Sequence, residues 1–296
     1  MAGSAKREPL SFLVVMAHPH DFTHCAGTCG IHIKMGDSVT VVTMTDGARK
    51  HNERFMDELM KPETERDPEV MSQTPDQYAE KKANEIRGVC AIFGVTDLRI
   101  LTFPEPFRNS RSPEAVEALE DIIRDVRPHV MITHAPFNFS PVGISRNSMG
   151  CAILNDHRET AIAALEARVR PASTPDYENK KQAHKIAATY YLGVDVMHNQ
   201  VDFYVDISRW KDQRMEAEAM FDSQGQSAEF ARRRIEIGAG GTGWHAKTQY
   251  AEGFVREQIE TLPCITVPEW SLKYAIQPSM DHIRHLAGEL MLTPEI

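Results

Sequence analysis

The sequence predicts an α/β fold in which a mostly parallel sheet carries helices on both faces. Short apolar, β-branched segments alternate with helical patterns over the first two thirds of the chain, as strand–helix–strand units require. The first apolar segment, residues 10–17, is nearly continuous, which is typical of a strand buried on both faces. These observations favour a Rossmann-like sheet.

Turn residues bound each predicted element. The first strand covers residues 10–17, and the helix that follows covers residues 21–34 and ends at Gly36. The second strand covers residues 38–45 and stops at Asp46 and Gly47. The later elements are predicted as helices at 78–94, 114–126 and 156–169, and as strands at 98–102, 130–133, 186–192 and 203–207.

Some stretches do not follow this alternation. Residues 48–77 predict a lid, an interface element or a mobile loop, and residues 135–150 predict another long loop. Residues 1–262 are predicted as one α/β domain, and residues 263–296 as a C-terminal extension packed on that domain or on a neighbouring subunit. Residues 238–243 are rich in glycine but follow a helix instead of a strand, which favours a flexible hinge over a phosphate loop.

The composition excludes several classes of protein. The chain of 296 residues carries 33 Lys+Arg against 42 Asp+Glu, a net charge of −9, which argues against a nucleic-acid partner. No apolar run reaches the ~18 residues that a membrane span needs, so no membrane span is expected. The odd number of cysteines, five, with no export signal, predicts reduced thiols in a cytoplasmic protein.

Ionisable residues follow two of the predicted strands. His18, His20 and Asp21 lie directly after the first strand, and Asp156 and His157 lie after the fourth strand and its long loop. Ligands of parallel α/β sheets bind outside the carboxyl ends of the strands, so we expect these side chains to converge. Two imidazoles and one carboxylate, with a fourth position open for water, describe a catalytic zinc site.

The same segments resemble a known family. Residues 17–22 read AHPHDF where the zinc-dependent de-N-acetylases of the LmbE-like (PIG-L) superfamily have AHPDDE, and residues 154–157 read LNDH where they have HPDH or HxDH. Further fragments similar to the family are residues 41–47, 85–95, 205–208, 223–224 and 250–254. The resemblance runs from about Leu10 to Val255 and implies an LmbE-like version of the predicted fold.

The resemblance implies a metal site, with Zn²⁺ held by His18, Asp21 and His157. Another divalent metal is possible, because nitrogen and oxygen ligands choose weakly among such ions. Phe22 replaces the Glu that ends the first motif, and two positions with catalytic roles in the family also differ. The Asp that serves as general base is His20 here, and the His that opens the second motif is Leu154.

These departures leave several roles open. His20 is predicted to be a general base, a fourth metal ligand or a substrate contact. His134, at the end of the fourth strand, either supplies the electrophilic role lost at Leu154 or caps the strand. Asp156 either orients a neighbouring histidine or substrate group, or caps the helix that follows. Lys82 stands where the family often has an arginine, although a solvated helix face explains it nearly as well.

The resemblance therefore implies a zinc-dependent hydrolase of a C–N amide bond, which deacetylates an N-acylated amino sugar or a related small amide. The expected partners are an amino-sugar-like small molecule, with an anionic group as one option, and further copies of the chain in a homo-oligomer. One alternative is a catalytically silent module that binds metal or sugar. Another is a zinc hydrolase with altered chemistry, such as ester or conjugate cleavage.

Overall fold

A seven-stranded sheet forms the centre of the computed structural model, which describes residues 7–108, 111–137, 156–259, 261–293 and 295. The strands are β1 (Ser11–Met16), β2 (Ser38–Thr43), β3 (Asp97–Ile100), β4 (Val130–Thr133), β5 (Ala188–Leu192), β6 (Phe203–Asp206) and β7 (Ala251–Arg256). Their order in the sheet is β3-β2-β1-β4-β5-β7-β6. The first five strands are parallel, and β7 runs antiparallel to β5 and β6.

Helices flank the sheet along the chain. They are α1 (Ala26–Lys34), α2 (Glu53–Met60), α3 (Pro68–Ser72), α4 (Pro75–Phe93), α5 (Pro113–Val126), α6 (Asp156–Ala167), α7 (Val169–Ser173), α8 (Lys211–Ala219), α9 (Ala228–Ala246), α10 (Glu269–Ala275) and α11 (Ser279–Leu286). A 3-10 segment, Pro19–Cys25, precedes α1. The helix predicted at 21–34 is therefore divided into a tighter first part and a regular second part.

Strand β1 shows that helices cover both faces. Val14 and Met16 belong to the core cluster shared with α1, α4 and α8, whereas Leu13 and Val15 belong to the cluster shared with α5 and α6. Successive side chains of a strand point to opposite faces, so both sets of this strand are buried. The predicted fold class, a mostly parallel sheet with helices on both sides, is confirmed.

Strand β7 was not predicted, because Glu252 and Gly253 interrupt its apolar pattern. In the folded chain the buried Glu252 carboxylate accepts hydrogen bonds from the backbone N–H groups of Gly27 and Thr28, at 3.0 and 2.8 Å. These N–H groups belong to the first turn of α1. The side chain of the N-cap residue of this helix makes no capping hydrogen bond. The polar residue in β7 thus stabilises the helix that follows the site.

Two loop predictions need correction. Residues 48–77 contain α2 and α3, so this stretch is largely structured. Residues 238–243 lie inside α9 and form no hinge; the glycine-based prediction was wrong because the helix continues through them. Most of the predicted loop at 135–150 lies outside the described residues, as does Leu154.

The C-terminal extension contacts the α/β domain through a few polar groups. His285 of α11 is fully buried, with Nε2 3.2 Å from Thr248 Oγ1, and Arg209 donates to the Thr293 carbonyl at 2.9 Å. The division of the chain at residue 262 and the association of copies stay predictions. In the ranges described, no helix has the length and apolar character needed to cross a bilayer.

Four cysteines fall within the described residues, and all four are free thiols. Three of them are buried and Cys264 is exposed. The cytoplasmic location stays a prediction.

The glycines of α9 give a direct test of its helical structure. A Cβ atom at Gly238 or Gly241 would meet open space, whereas a Cβ atom at Gly243 would meet the backbone of Gln249. Alanine lowers the entropy lost on folding in a helix interior, so Gly238→Ala and Gly241→Ala should each stabilise the protein by about 0.5–1 kcal/mol. Gly243→Ala should destabilise it. Urea unfolding midpoints would measure this, and a loss of stability at Gly238 and Gly241 would contradict a continuous helix.

Candidate metal centre

Ionisable side chains from three parallel strands meet at the carboxyl edge of the sheet. His18 and Asp21 follow β1, His134 follows β4 and Asp195 follows β5. Asp156 and His157 come from the first turn of α6. The edge that the sequence predicted to carry the site therefore holds all of its candidate metal ligands.

The first two candidate ligands are brought together by the local backbone. The 3-10 turn begins at Pro19 and folds Asp21 back onto His18, whose backbone N–H donates to Asp21 Oδ2 at 2.8 Å. The imidazole Nδ1 of His18 lies 3.2 Å from the same oxygen. Proline fits the first position of such a turn, because the N–H that it lacks would have no partner there.

His157 completes the set. Its Nε2 lies 3.5 Å from Asp21 Oδ1, on the other oxygen of the carboxylate. One ligand atom each from His18, Asp21 and His157 all lie within 4.8 Å of one another. The structure thus brings together the three residues that the sequence predicted as metal ligands.

A second carboxylate lies near the other ring nitrogen of each of these imidazoles. His18 Nε2 lies 2.8 Å from Asp156 Oδ2, and His157 Nδ1 lies 3.8 Å from Asp195 Oδ1. Histidines that bind metal almost always direct their other ring nitrogen to a carboxylate, a carbonyl or water, which fixes the tautomer of the ring. The donor set therefore fits a divalent metal, both in its ligand types and in the groups that orient them.

His134 adds a third imidazole to the cluster. It is fully buried and stacks on His157, with the ring centroids 4.1 Å apart and the planes 18° apart. Its Nδ1 lies 3.1 Å from Asp195 Oδ2, and its Nε2 lies 3.3 Å from Asp21 Oδ2. His134, His157 and Asp195 form a second group whose ligand atoms lie within 4.8 Å of one another.

The buried charges shift one another's pKa values strongly. Burial opposes protonation of His18, but Asp21 and Asp156 outweigh it and raise the pKa of His18 to about 9. In the same way Asp195 and Asp21 outweigh burial and raise the pKa of His134 to about 10. Burial alone would raise the pKa of Asp21, yet the imidazoles, with His157 first, hold that pKa well below its usual range.

Two amines lie next to the cluster. Lys50 Nζ is 2.5 Å from Asp156 Oδ2. Lys82 of α4 is only 2% exposed, with Nζ 5.1 Å from the centroid of the Tyr78 ring. Its stem packs against Gly47, where a Cβ atom would meet Lys82 Cδ at 2.6 Å and Pro19 Cδ at 3.4 Å. The interpretation of Lys82 as part of a solvated helix face was therefore wrong.

Burial changes the chemistry of Lys82. Within the part of the chain that the structure describes, its ammonium has neither a hydrogen bond nor an ion pair within 4.0 Å. Burial lowers the pKa of Lys82 to about 8, although the more distant carboxylates of Glu85 and Glu53 work in the opposite direction. A buried lysine with no carboxylate within 4.0 Å is costly, which marks Lys82 as a candidate for binding an anionic ligand.

Sequence reasoning missed Asp195 and Lys50. Asp195 lies three residues after Leu192, the last residue of β5, so the same rule about carboxyl ends of strands could have found it. Nothing comparable identifies Lys50, which reaches Asp156 only because the chain after β2 turns back over the site.

The sequence profile of the family described as PIG-L, GlcNAc-PI de-N-acetylase, matches residues 13–168. This is more than half of the chain, and the chain belongs to that family. A relative in Catenulispora acidiphila, named 1D-myo-inositol 2-acetamido-2-deoxy-alpha-D-glucopyranoside deacetylase 2, is 32% identical over 147 residues. That match covers 44% of this chain and 45% of the relative, so the chain spans less than half the length of the relative.

Solved structures share the fold over most of the chain. The 4-carboxy-2-hydroxymuconate hydratase GalB from Pseudomonas putida KT2440 superposes with a TM-score of 0.65 at 19% identity, covering 87% of this chain and 100% of that one. The N,N'-diacetylchitobiose deacetylase from Pyrococcus horikoshii superposes with a TM-score of 0.62 at 20% identity, covering 93% and 89%. At this identity the two structures show a common fold and leave the reaction open.

The contact between His157 and Asp195 predicts how Asp195 affects metal binding. Asp195→Asn keeps the shape of the side chain but removes the charge that orients His157 and His134, so the affinity for zinc should fall about 10–100-fold. Asp202→Asn, an exposed aspartate at the start of β6, is the matched control and should bind zinc as the wild type does. Competition against a chromophoric chelator would measure both. Equal affinity in the two variants would contradict the orienting role.

Proposed function

We propose that the chain is a metal-dependent hydrolase that removes an acetyl group from the amide nitrogen of an amino-sugar-like small molecule. The observation that carries this proposal is the convergence of His18, Asp21 and His157, with a carboxylate behind each imidazole, at the carboxyl edge of the sheet. Membership of the de-N-acetylase family supports the same reaction, as does the similarity to the deacetylase of Catenulispora acidiphila.

We propose zinc as the metal, because two imidazoles, one carboxylate and an open position describe its catalytic sites. When bound, such a metal supplies a Lewis acid that polarises the acyl carbonyl and lowers the pKa of water. Asp156 holds the ring of His18 by its Nε2, and Asp195 holds His157 by its Nδ1. These two carboxylates hold a proton on the ring nitrogen that faces them, so the opposite nitrogen of each ring would be the one to hold the metal.

The remaining roles belong to His20, His134 and Lys82. His20 lies one residue before Asp21 and is the candidate to accept the proton of the attacking water. His134, stacked on His157, is the candidate to stabilise negative charge that develops on the acyl oxygen. Lys82 favours a substrate that carries a carboxylate or phosphate, because it has no counter-ion of its own among the described side chains.

Metal content decides first whether a metal centre exists. Wild-type protein supplied with zinc should hold about one zinc per chain by mass spectrometry, as a single site of three protein ligands requires. His157→Ala should lose it, and His245→Ala, an exposed histidine of α9 outside the cluster, should keep it. Equal loss in both variants, or an absence of zinc from all three proteins, would overturn the proposal.

The same preparations should be assayed against N-acetylglucosaminyl glycosides and against ester analogues of them. Release of acetate from the amides by wild type only would support the deacetylase. Release from the esters alone would favour the zinc hydrolase with altered chemistry. A zinc-loaded protein that cleaves neither would favour the silent binding module.

Lys82→Met tests the preference for anionic substrates. The variant should raise KM about tenfold or more for an amide that carries a phosphate, since a charge-assisted contact contributes about 1.5–3 kcal/mol, and should change KM little for a neutral analogue. It should also raise the melting temperature, because methionine does not place a charge in the interior. Lys81→Met, whose ammonium lies on the exposed side of α4, is the control. Equal effects on both substrates would contradict the preference.

A further inference from the structure

His20 contacts a buried carboxylate that lies outside the set of candidate metal ligands. Its Nε2 lies 2.7 Å from Oε1 of Glu218, a residue of α8 that is 198 positions later in the sequence. The Glu218 side chain is only 1% exposed and that of His20 is 10% exposed. At the same time, a ring nitrogen of His20 lies within 4.8 Å of an Asp21 carboxylate oxygen. The ring therefore contacts a buried carboxylate and lies close to the candidate metal ligand Asp21.

Gln226 supplies a second acceptor for the same nitrogen. In the amide orientation that satisfies both ends of the side chain, the Gln226 oxygen accepts from His20 Nε2 at 3.2 Å and its nitrogen donates to Glu218 Oε1 at 2.9 Å. A ring nitrogen that faces two acceptors is a donor and carries a proton. In the neutral form of the ring, the other nitrogen, Nδ1, then keeps the lone pair.

Glu218 is itself held in place by charge. Arg234 Nε lies 3.1 Å from Glu218 Oε1, and Arg214 Nη1 lies 4.0 Å from Oε2. Burial alone would raise the pKa of Glu218, but His20 and the two arginines lower it, so the carboxylate is ionised. Arg214 also lies 3.3 Å from Glu252, which links this network to the cap of α1.

Packing fixes the plane of the His20 ring as well. The edge of the ring meets Phe221, with centroids 4.9 Å apart and an angle of 83° between the planes. Phe221 is fully buried. The ring is thus constrained by an aromatic contact and by a hydrogen bond at Nε2, and neither constraint uses Nδ1.

We propose that Glu218 is a positioning residue for His20. Glu218 holds the proton of the neutral ring on Nε2, so that Nδ1 is the nitrogen without a proton. A histidine at the position of the family's aspartate can accept a proton or a metal only through a nitrogen without a proton. Glu218 and Gln226 determine which nitrogen that is. The catalytic meaning of this arrangement rests on the proposed function, whereas the tautomer itself does not.

The tautomer can be measured directly. Protein labelled with ¹⁵N at histidine should show His20 protonated on Nε2 and bare on Nδ1, assigned by comparison with His20→Asn. Glu218→Gln should shift the signal towards a mixture of tautomers. A wild-type signal from the Nδ1–H tautomer would overturn the proposal even if no enzyme activity is found.

Kinetics supply the second readout. Glu218→Gln should lower kcat about 10–100-fold with KM unchanged, as loss of an orienting carboxylate does elsewhere. Glu120→Gln removes another buried carboxylate, which lies in α5 and pairs with Arg170, so its kcat should stay close to that of the wild type. In a His20→Asn background, Glu218→Gln should cause no further loss of kcat, because Glu218 acts through His20.

The outcomes separate the possible failures. If Glu218→Gln and Glu120→Gln lower kcat equally, Glu218 is a purely structural residue and the proposal is wrong. If wild type is inactive on every amide but His20 has the Nε2–H tautomer, the proposed function fails and the positioning role stands. Should Glu218→Gln not fold, Gln226→Met removes one acceptor without changing the charge and should shift the tautomer in the same direction.

Discussion

The Asp21 carboxylate is the contact on which the rest of the site depends. One of its oxygens meets the backbone and Nδ1 of His18 and Nε2 of His134, and the other meets Nε2 of His157. These partners come from β1, β4 and α6, so a single carboxylate joins elements that are more than a hundred residues apart. A buried charge is stable only when it is paired and hydrogen-bonded, and Asp21 satisfies this condition through imidazoles.

The same pairing continues outward from the centre. Asp156 contacts a ring nitrogen of His18, and Asp195 contacts ring nitrogens of His157 and His134. Alternating imidazoles and carboxylates keep the net charge of the cluster small while holding each ring in a defined orientation. Such a cluster can accept a divalent cation with little movement, because its ligands are already directed by their partners.

His20, a departure from the first family motif, lies next to this centre. His20 replaces an aspartate, and the structure places a buried glutamate from a distant helix against it. Lys82 is buried in α4, with its stem against Gly47. A hydratase and a deacetylase both share this fold, so the fold alone does not determine a reaction.

The sequence by itself determined the parallel part of the sheet and the three candidate ligands. Continuous apolar segments report burial on both faces, and the carboxyl ends of such strands must meet at one edge. It did not predict β7, whose Glu252 interrupts the apolar pattern, and it misread the glycines of α9. Only the tertiary structure decided the partners of these groups. Asp195, Glu218 and the burial of Lys82 depend on contacts between distant segments, and a contact of this kind leaves no periodic pattern in the chain.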